Sequence, residues 1–467
     1  MMGAASAYDM YLFYTLALAL AVLLSSPWWL GAMLVSGKYR EGFRERLGRV
    51  PPRVTESLQG AQTVWLHAVS VGELLAATPL IEALQRELTA TRPGVRLVIS
   101  TTTRTAQQLA KEKFGETSVF YFPFDFPWCI DAWMSALRPQ LIVLLETEFW
   151  PNFLQRAARH QIPVAVVNAR ISDRSFPRYR ALRFLWRHIL SPVRLALAQS
   201  ALDAERLQEV GIPAGRIHMT GNLKYDVPLA DTPPSDIVTA LRRHLPDGPP
   251  VWICGSTAEG EEAALLAAHR RVLEHNPEVI LILAPRHPER FAQVAALAPH
   301  AVRRSTWMQS PFPLAPGSVF LLDSIGELAA VYALGYVAFL GNSLAAPGGG
   351  QNPLEPASFG LPILAGPHMQ NFRGIAKALQ ASGSLITTSA ESLATDVIYL
   401  LDNPGQAFER GEAARNQVEA NRGATERCLQ HLAGLLPGRN LYVKREPAEL
   451  TEAAARDRRP GRPVRVK

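Results

Sequence analysis

Cysteine is scarce. The 467 residues hold only Cys129, Cys254 and Cys428, far apart and without a C-x-x-C pair. That spacing argues against a disulfide framework and against a cysteine-built zinc site, and it suits a reducing cytoplasm. Strong charge of one sign is also lacking. A net charge of +7 favours anionic partners such as phosphates, lipid headgroups or nucleic acid without choosing among them. No G-x-x-x-x-G-K-[ST] occurs, and no G-x-G-x-x-G follows the first expected strand, so neither a P-loop ATPase nor a simple dehydrogenase is indicated. No nucleic-acid recognition module is visible beside the basic C-terminus. No short-period repeat occurs, and a long uncharged apolar run occurs at one place only, near the N-terminus.

That run is Met10–Gly37, which has no Asp, Glu, Lys or Arg and is followed by Lys38, Arg40, Arg44, Arg46, Arg49 and Arg53. A cleavable signal carries its positive charge before the apolar segment, whereas here it comes after. The pattern reads as an uncleaved membrane anchor, spanning or shallow, with the following domain on the cytoplasmic side. Pro27 is expected to break its helix near the interface.

The rest of the chain, with 48% hydrophobic and 19% charged residues overall, is long enough for two or three globular domains. Apolar strands expected at Thr63–Ala68, Arg96–Thr101, Val119–Phe122, Leu141–Leu145, Val164–Val167 and Leu195–Ala198 alternate with helical periodicities. A proline-rich stretch, Val227–Pro250, then reads as a linker. A second series follows: Val251–Cys254, Val279–Ala284, Val319–Leu322, Val337–Leu340, Ile363–Ala365 and Leu385–Thr387. Alternation of this kind indicates an α/β fold with parallel, doubly wound sheets. Two such Rossmann-like domains facing each other leave a cleft at the carboxyl ends of their strands. The expected division is an anchor over residues 1–37, domains over 38–228 and 229–440, and a basic disordered tail over 441–467.

Candidate chemistry gathers at strand ends. Glu73, in His67–Glu73, stands at the start of a helix, where the dipole favours an ionised general base; an ordinary first-turn acid fits equally. Glu146 and Glu148 form a second acidic pair, and Glu148 is a candidate cap for the helix begun by Pro151. In Phe176–Arg194, Arg180, Arg183 and Arg187 share one face of an expected helix with aromatics between them, a surface for phosphorylated lipids or simply a solvated basic face. Gly255–Glu262 reads as an anion-binding turn or a plain helix cap. Arg286 is placed to neutralise a phosphate, while His287 is more readily structural. The Gly348-Gly349-Gly350 turn brings backbone amides toward an anion, and Glu355 beyond it suits a ribose diol, unless the turn is merely flexible and Glu355 solvated.

The series HAVSVGE, ETEFWPN, NARISDRS, GNLKYD, STAEGEE, APRHPERF, GELAAVY and NPLEPA, in this order, closely resembles the 3-deoxy-D-manno-oct-2-ulosonic acid (Kdo) transferase family, from the anchor to about Leu436. The resemblance implies the glycosyltransferase-B architecture. It implies CMP-Kdo as donor and a lipid A precursor as acceptor, at the cytoplasmic face of a Gram-negative inner membrane and in contact with its lipids. By motif, Glu73 looks like the catalytic base, and Glu146 and Lys224 look like stabilisers of the transition state. Pro285, Arg286, Ile325, Gly326, Glu327, Asn352, Pro353, Leu354 and Glu355 look like CMP-binding groups. Gln351 and Ala258 depart from the family pattern. Direct displacement would invert the anomeric centre, and neither metal nor cofactor is expected. A UDP-sugar transferase or epimerase of the same architecture would need no base at Glu73 and no anchor. A nonenzymatic membrane scaffold would tolerate Glu73→Ala.

Overall fold

Short apolar strands buried on both faces are stable only when helices cover both sides of their sheet. This computed structural model describes residues 4–36, 40–226, 235–246 and 248–436; the basic tail and residues 227–234 of the linker lie outside them. The first sheet contains β1 (Gln62–Ala68), β2 (Val95–Thr101), β3 (Val119–Tyr121), β4 (Pro139–Leu145), β5 (Val164–Ala169), β6 (Val193–Ala198) and β7 (Ile217–Met219). All are parallel, in the order β3-β2-β1-β4-β5-β6-β7. The second contains β8 (Val251–Thr257), β9 (Ile280–Pro285), β10 (Val302–Arg303), β11 (Val319–Leu321), β12 (Val337–Leu340), β13 (Ile363–Ala365) and β14 (Leu385–Thr387). It too is parallel, in the order β10-β11-β9-β8-β12-β13-β14.

Every strand expected from the sequence is present, with ends moved by up to three residues. The structure adds β7 and β10, short strands at sheet edges whose residues are partly exposed and so lack a continuous apolar run. The expected linker is shorter than its prolines suggest. Asp236–His244 is a helix that buries Ile237, Val238 and Leu241 in the second lobe, between the expected breakers at Pro233-Pro234 and Pro246.

The two lobes are joined by more than the linker. Leu223 is buried in the first core and Tyr225, two residues on, in the second. The Asp226 carboxylate accepts from the amides of Gly423, at 2.7 Å, and Thr425, at 2.5 Å, capping the C-terminal helix Ala424–Ala433. That helix crosses back to the first lobe, where Ala424, Cys428 and Leu432 pack with Leu74, Leu80 and Leu84. A linear boundary at residue 440 groups it with the second domain, whereas its core contacts lie with the first.

The N-terminal helix, α1, runs from Ala4 to Ser36 without interruption at Pro27. The Leu23 carbonyl, which loses its helical donor there, accepts from the Ser26 hydroxyl at 2.7 Å, and this local repair removes the reason for a break. Asp9–Gly31 is long and apolar enough to cross a membrane by length and composition. One stripe of α1 nevertheless faces the first lobe. Tyr11 meets His188 in a tilted ring contact, Thr15 exchanges hydrogen bonds with Asn152, and Trp29 meets Phe43. The opposite stripe is exposed and apolar, with Phe13 at 75% and Leu24 at 72% accessibility.

Asp226→Ala removes an N-cap that serves two amides, and the expected loss is about 1–2 kcal/mol. Amide hydrogen exchange should accelerate across Ala424–Ala433 and leave Gln62–Ala68 unchanged; uniform protection throughout would refute this reading of the crossing helix.

Candidate functional site

In the first lobe, β1 and β4 are neighbours, so the loops after them meet. Ser70 ends the extended segment and caps the helix Val71–Thr91, which places Glu73 at its third position. The Glu73 carboxylate accepts from the Val69 amide at 2.9 Å and from the Ser70 hydroxyl at 2.8 Å. Burial pushes its pKa above the ordinary carboxylate range, opposed by those two bonds, raised again by the Glu146 charge and lowered by Lys224. Glu73 thus has the bonds of an ordinary first-turn acid. It braces its own helix start, and it faces two further charged groups.

Glu146 follows β4 with a left-handed backbone, φ 57°, a strained conformation for a non-glycine residue. Glu148 does not cap the next helix. Pro151 has no amide to offer, and the free amides of Asn152 and Phe153 are met by Asp125 from another loop, at 3.1 and 2.8 Å. Glu148 instead accepts from Trp150 Nε1 at 3.0 Å and joins the acidic cluster. Burial first, then the Glu73 charge, raises it to about 7, with Trp150 opposing and Glu146 adding. Lys224 comes from further along the chain. Asn168, at the end of β5 with φ 55°, accepts the Leu223 amide at 3.1 Å and so carries the Lys224 turn toward the centre of the sheet. The Lys224 ammonium lies 5.4 Å from the centre of the Phe372 ring, a residue of the second lobe.

In the second lobe, Pro285 ends β9 and Arg286 follows it, exposed, its amide bound to the Thr257 carbonyl at 3.0 Å. Glu355 accepts from Asn352 at 3.2 Å, and Asn352 also takes the Leu354 amide, so Asn352 to Glu355 form one turn with Pro353 and Leu354 buried beneath. Burial raises the Glu355 carboxyl, against the Asn352 bond and the Arg286 charge, which places the guanidinium in electrical contact with it. Ile325 and Gly326 are exposed on the loop after β11. The Glu327 carboxylate is engaged by Arg304 and Ser324, leaving the loop backbone as its free contribution. Tyr332, in the same motif, is buried against Gly255 and senses the Glu355 charge.

One expected anion site is filled from within, and the other is engaged at one amide. At the turn Gly255–Glu262, the Glu261 carboxylate accepts the amides of Asn342 at 2.6 Å, Ser343 at 2.8 Å, Leu344 at 3.0 Å and Ala258 at 2.8 Å. Its neighbour Glu262 is buried against Arg290 in a two-bond ion pair at 2.6 and 2.9 Å. In the glycine turn, the Gly350 amide binds the Asn342 carbonyl at 2.7 Å. All three glycines have positive φ, and a Cβ on Gly350 would collide with Met369. These glycines serve conformation and close packing. The basic helix also differs from expectation: it breaks at Leu182 into Phe176–Ala181 and Arg183–Ile189, with no Gly or Pro marking the break. Arg180, Arg183 and Arg187 remain exposed, beside the α1 contact at His188.

The sites assigned from the sequence therefore fall into two clusters, linked across the lobes by Lys224 and Phe372. Glu148 and Asn168 are the additions. Both stand inside motifs quoted above, but neither spacing nor composition distinguishes them from structural residues.

Comparison with known proteins adds to this geometry. The model of the 3-deoxy-D-manno-octulosonic-acid transferase (kdotransferase) family matches residues 41–227. The 3-deoxy-D-manno-octulosonic acid transferase of Haemophilus influenzae is 36% identical over 85% of this chain and 92% of its own length. That of Bordetella pertussis is 34% identical over 90% of this chain and 98% of its own. Among solved structures, a putative UDP-N-acetylglucosamine 2-epimerase from Listeria monocytogenes superposes with a TM-score of 0.53 at 15% identity, covering 80% of this chain and 96% of its own, which supports the two-lobed fold alone.

Glu261→Ala strands buried amides that have no other acceptor, at an expected cost of about 3–5 kcal/mol. Urea denaturation should show the loss, and added sulfate should restore part of it. An unchanged midpoint would mean that these amides do not depend on the carboxylate.

Proposed function

This chain belongs to the Kdo transferase family, and on that premise we propose that it moves Kdo from CMP-Kdo to a lipid A precursor such as lipid IVA, with inversion at the anomeric carbon. The observation that carries the reading is the pairing of a helix-start carboxylate, Glu73, with Lys224, whose ammonium reaches across to Phe372 of the other lobe. A base and a cation facing one crevice are what displacement of an anionic leaving group by a sugar hydroxyl requires.

In this mechanism CMP-Kdo lies on the second lobe. Arg286 and the loop backbone at Ile325–Glu327 hold the phosphate, and Glu355, set by Asn352, holds the ribose diol over Pro353 and Leu354. The acceptor hydroxyl approaches from the first lobe. Its oxygen bonds to the anomeric carbon as the bond from that carbon to the phosphate oxygen breaks, and CMP departs with the electron pair. Glu73 receives the hydroxyl proton. Lys224 offsets negative charge developing between the lobes, and Glu146 orients groups around the reacting centre. What supports Glu73 in the base role is its held orientation and its raised affinity for a proton. A carboxylate made more basic by burial and by neighbouring Glu146 is better matched to a hydroxyl than an exposed one.

The lipid acceptor fits the outer surface of the first lobe. The apolar stripe of α1 and the adjoining Arg180, Arg183 and Arg187 combine hydrocarbon-compatible and anion-attracting surfaces, the pairing used by proteins that rest on anionic membranes. We place the catalytic lobes on the cytoplasmic side of the inner membrane, following the basic residues after α1.

Purified protein incubated with CMP-Kdo and lipid IVA should yield a product heavier by Kdo, read by mass spectrometry. Glu73→Ala should lower the rate by about 10²–10⁴-fold with folding retained, the range typical of a lost general base; turnover at the wild-type rate would remove Glu73 from the mechanism. Glu146→Gln deletes a like charge that raises Glu73, so Glu73 should ionise at lower pH. The acid limb of kcat/KM against pH should move downward in that variant. A limb that stays in place would show that Glu146 does not tune the base.

A further inference from the structure

Between α1 and the first lobe lies a cavity of about 850 Å³, lined by Val22 and Trp29 of the helix and by Phe43, Leu47, Phe124 and Phe126 of the lobe. Its size is within the range of about 300–1,000 Å³ usual for small-molecule sites. The apolar walls are built by contacts among themselves. Trp29 folds back so that its indole nitrogen donates to the Val22 carbonyl at 3.2 Å, and Phe43 meets both Trp29 and Phe124 at ring-centre distances of 5.9 and 6.0 Å.

Charge is confined to a few side chains. Arg46 lies over the Tyr121 ring at 4.7 Å, and Arg104, 82% exposed along its side chain, pairs with Glu41 at 3.0 Å. The other wall leads to the catalytic centre. Thr102 and Thr103, which line the cavity, donate their amides to the Val69 carbonyl at 3.4 and 3.2 Å, while the Val69 amide holds Glu73. One residue therefore separates the cavity wall from the proposed base.

We propose that this cavity receives an acyl chain of the lipid acceptor, an inference that rests on the reaction assigned above and names how that substrate is seated. The walls suit hydrocarbon and offer little to orient a sugar. Val22, on the cavity side of α1, is itself exposed, so the cavity opens to the surface beside a helix long and apolar enough to lie in a bilayer. Arg104 and Arg46 suit the phosphorylated headgroup of such a lipid. A chain lodged here leaves its sugar end beside Val69 and Glu73. A neutral or zwitterionic phospholipid gains the apolar contacts but makes less use of the two guanidinium groups.

The test uses the full chain in phosphatidylcholine vesicles and a tetra-acylated, bis-phosphorylated glucosamine disaccharide carrying a diazirine near one chain end. After irradiation, labelled peptides are mapped by mass spectrometry. Label should fall on the segments holding Phe43–Leu47 and Phe124–Phe126. Ser25→Trp and Val22→Trp, which fill the cavity from the helix side, should each cut that label about tenfold, the effect of excluding about two buried methylenes. An unchanged circular-dichroism spectrum and thermal midpoint in both variants verify the fold. Label confined to the outward residues Phe13, Leu16 and Leu24, or undiminished in both variants, overturns the proposal. Equal cavity labelling by a diazirine phosphatidylethanolamine overturns the acceptor as its occupant. Kdo transfer by a protein whose cavity stays unlabelled overturns this inference alone. A labelled cavity without Kdo transfer overturns the assigned reaction and leaves a lipid site.

Discussion

Four consecutive residues, Leu223 to Asp226, hold the two lobes in register. Leu223 is anchored in one core, Tyr225 in the other, and the Asp226 carboxylate fastens the helix that crosses back between them. Lys224 lies within this junction and faces Glu73. Its ammonium is thus fixed by the same segment that fixes the separation of the lobes. A relative movement of the lobes must act through this segment, so opening of the cleft and withdrawal of Lys224 from Glu73, the proposed base, are mechanically coupled. Hinges are often distant from the chemistry they serve; here they share a motif.

The acidic residues near the cleft divide by how fully the fold satisfies them. Glu261 is surrounded by amides and Glu262 by a guanidinium, and these two are structural anions. Glu73, Glu148 and Glu355 are buried enough to be pushed toward their neutral forms, yet have only one or two hydrogen bonds each to oppose that. Incomplete satisfaction at low local dielectric is what leaves a group free to exchange a proton or bind a diol. Composition alone does not separate the two sets, because both follow strands and both stand at helix starts.

Much of the architecture is legible in the sequence because buried parallel strands write themselves as uninterrupted apolar runs. Val337–Leu340 and Ile363–Ala365 match the structure at both ends. The edges β7 and β10 escape the pattern because solvent replaces one side of their packing. Pro27 misleads because the hydroxyl that repairs the helix belongs to an ordinary serine next to it. The proposed site is legible as far as motif and strand end coincide, which includes Glu73, Arg286 and Glu355. What remains hidden is partnership across long sequence distance. Asp125 serving the amides of Asn152 and Phe153, Asn168 steering Lys224, and Glu261 filling the amides after β12 all require the fold to bring the residues together.

The docking of α1 also has a consequence for how the protein is made. Thr15 bonds to Asn152, which follows it by 137 residues. At a synthesis rate of about 5–20 residues per second, the ribosome needs on the order of ten seconds to supply that partner. For that interval the nascent helix has no first lobe to lean on, and the stripe that carries Tyr11, Thr15 and Trp29 stays uncovered. The docked posture of α1 is therefore a late product of synthesis, set only when the lobe closes beside it.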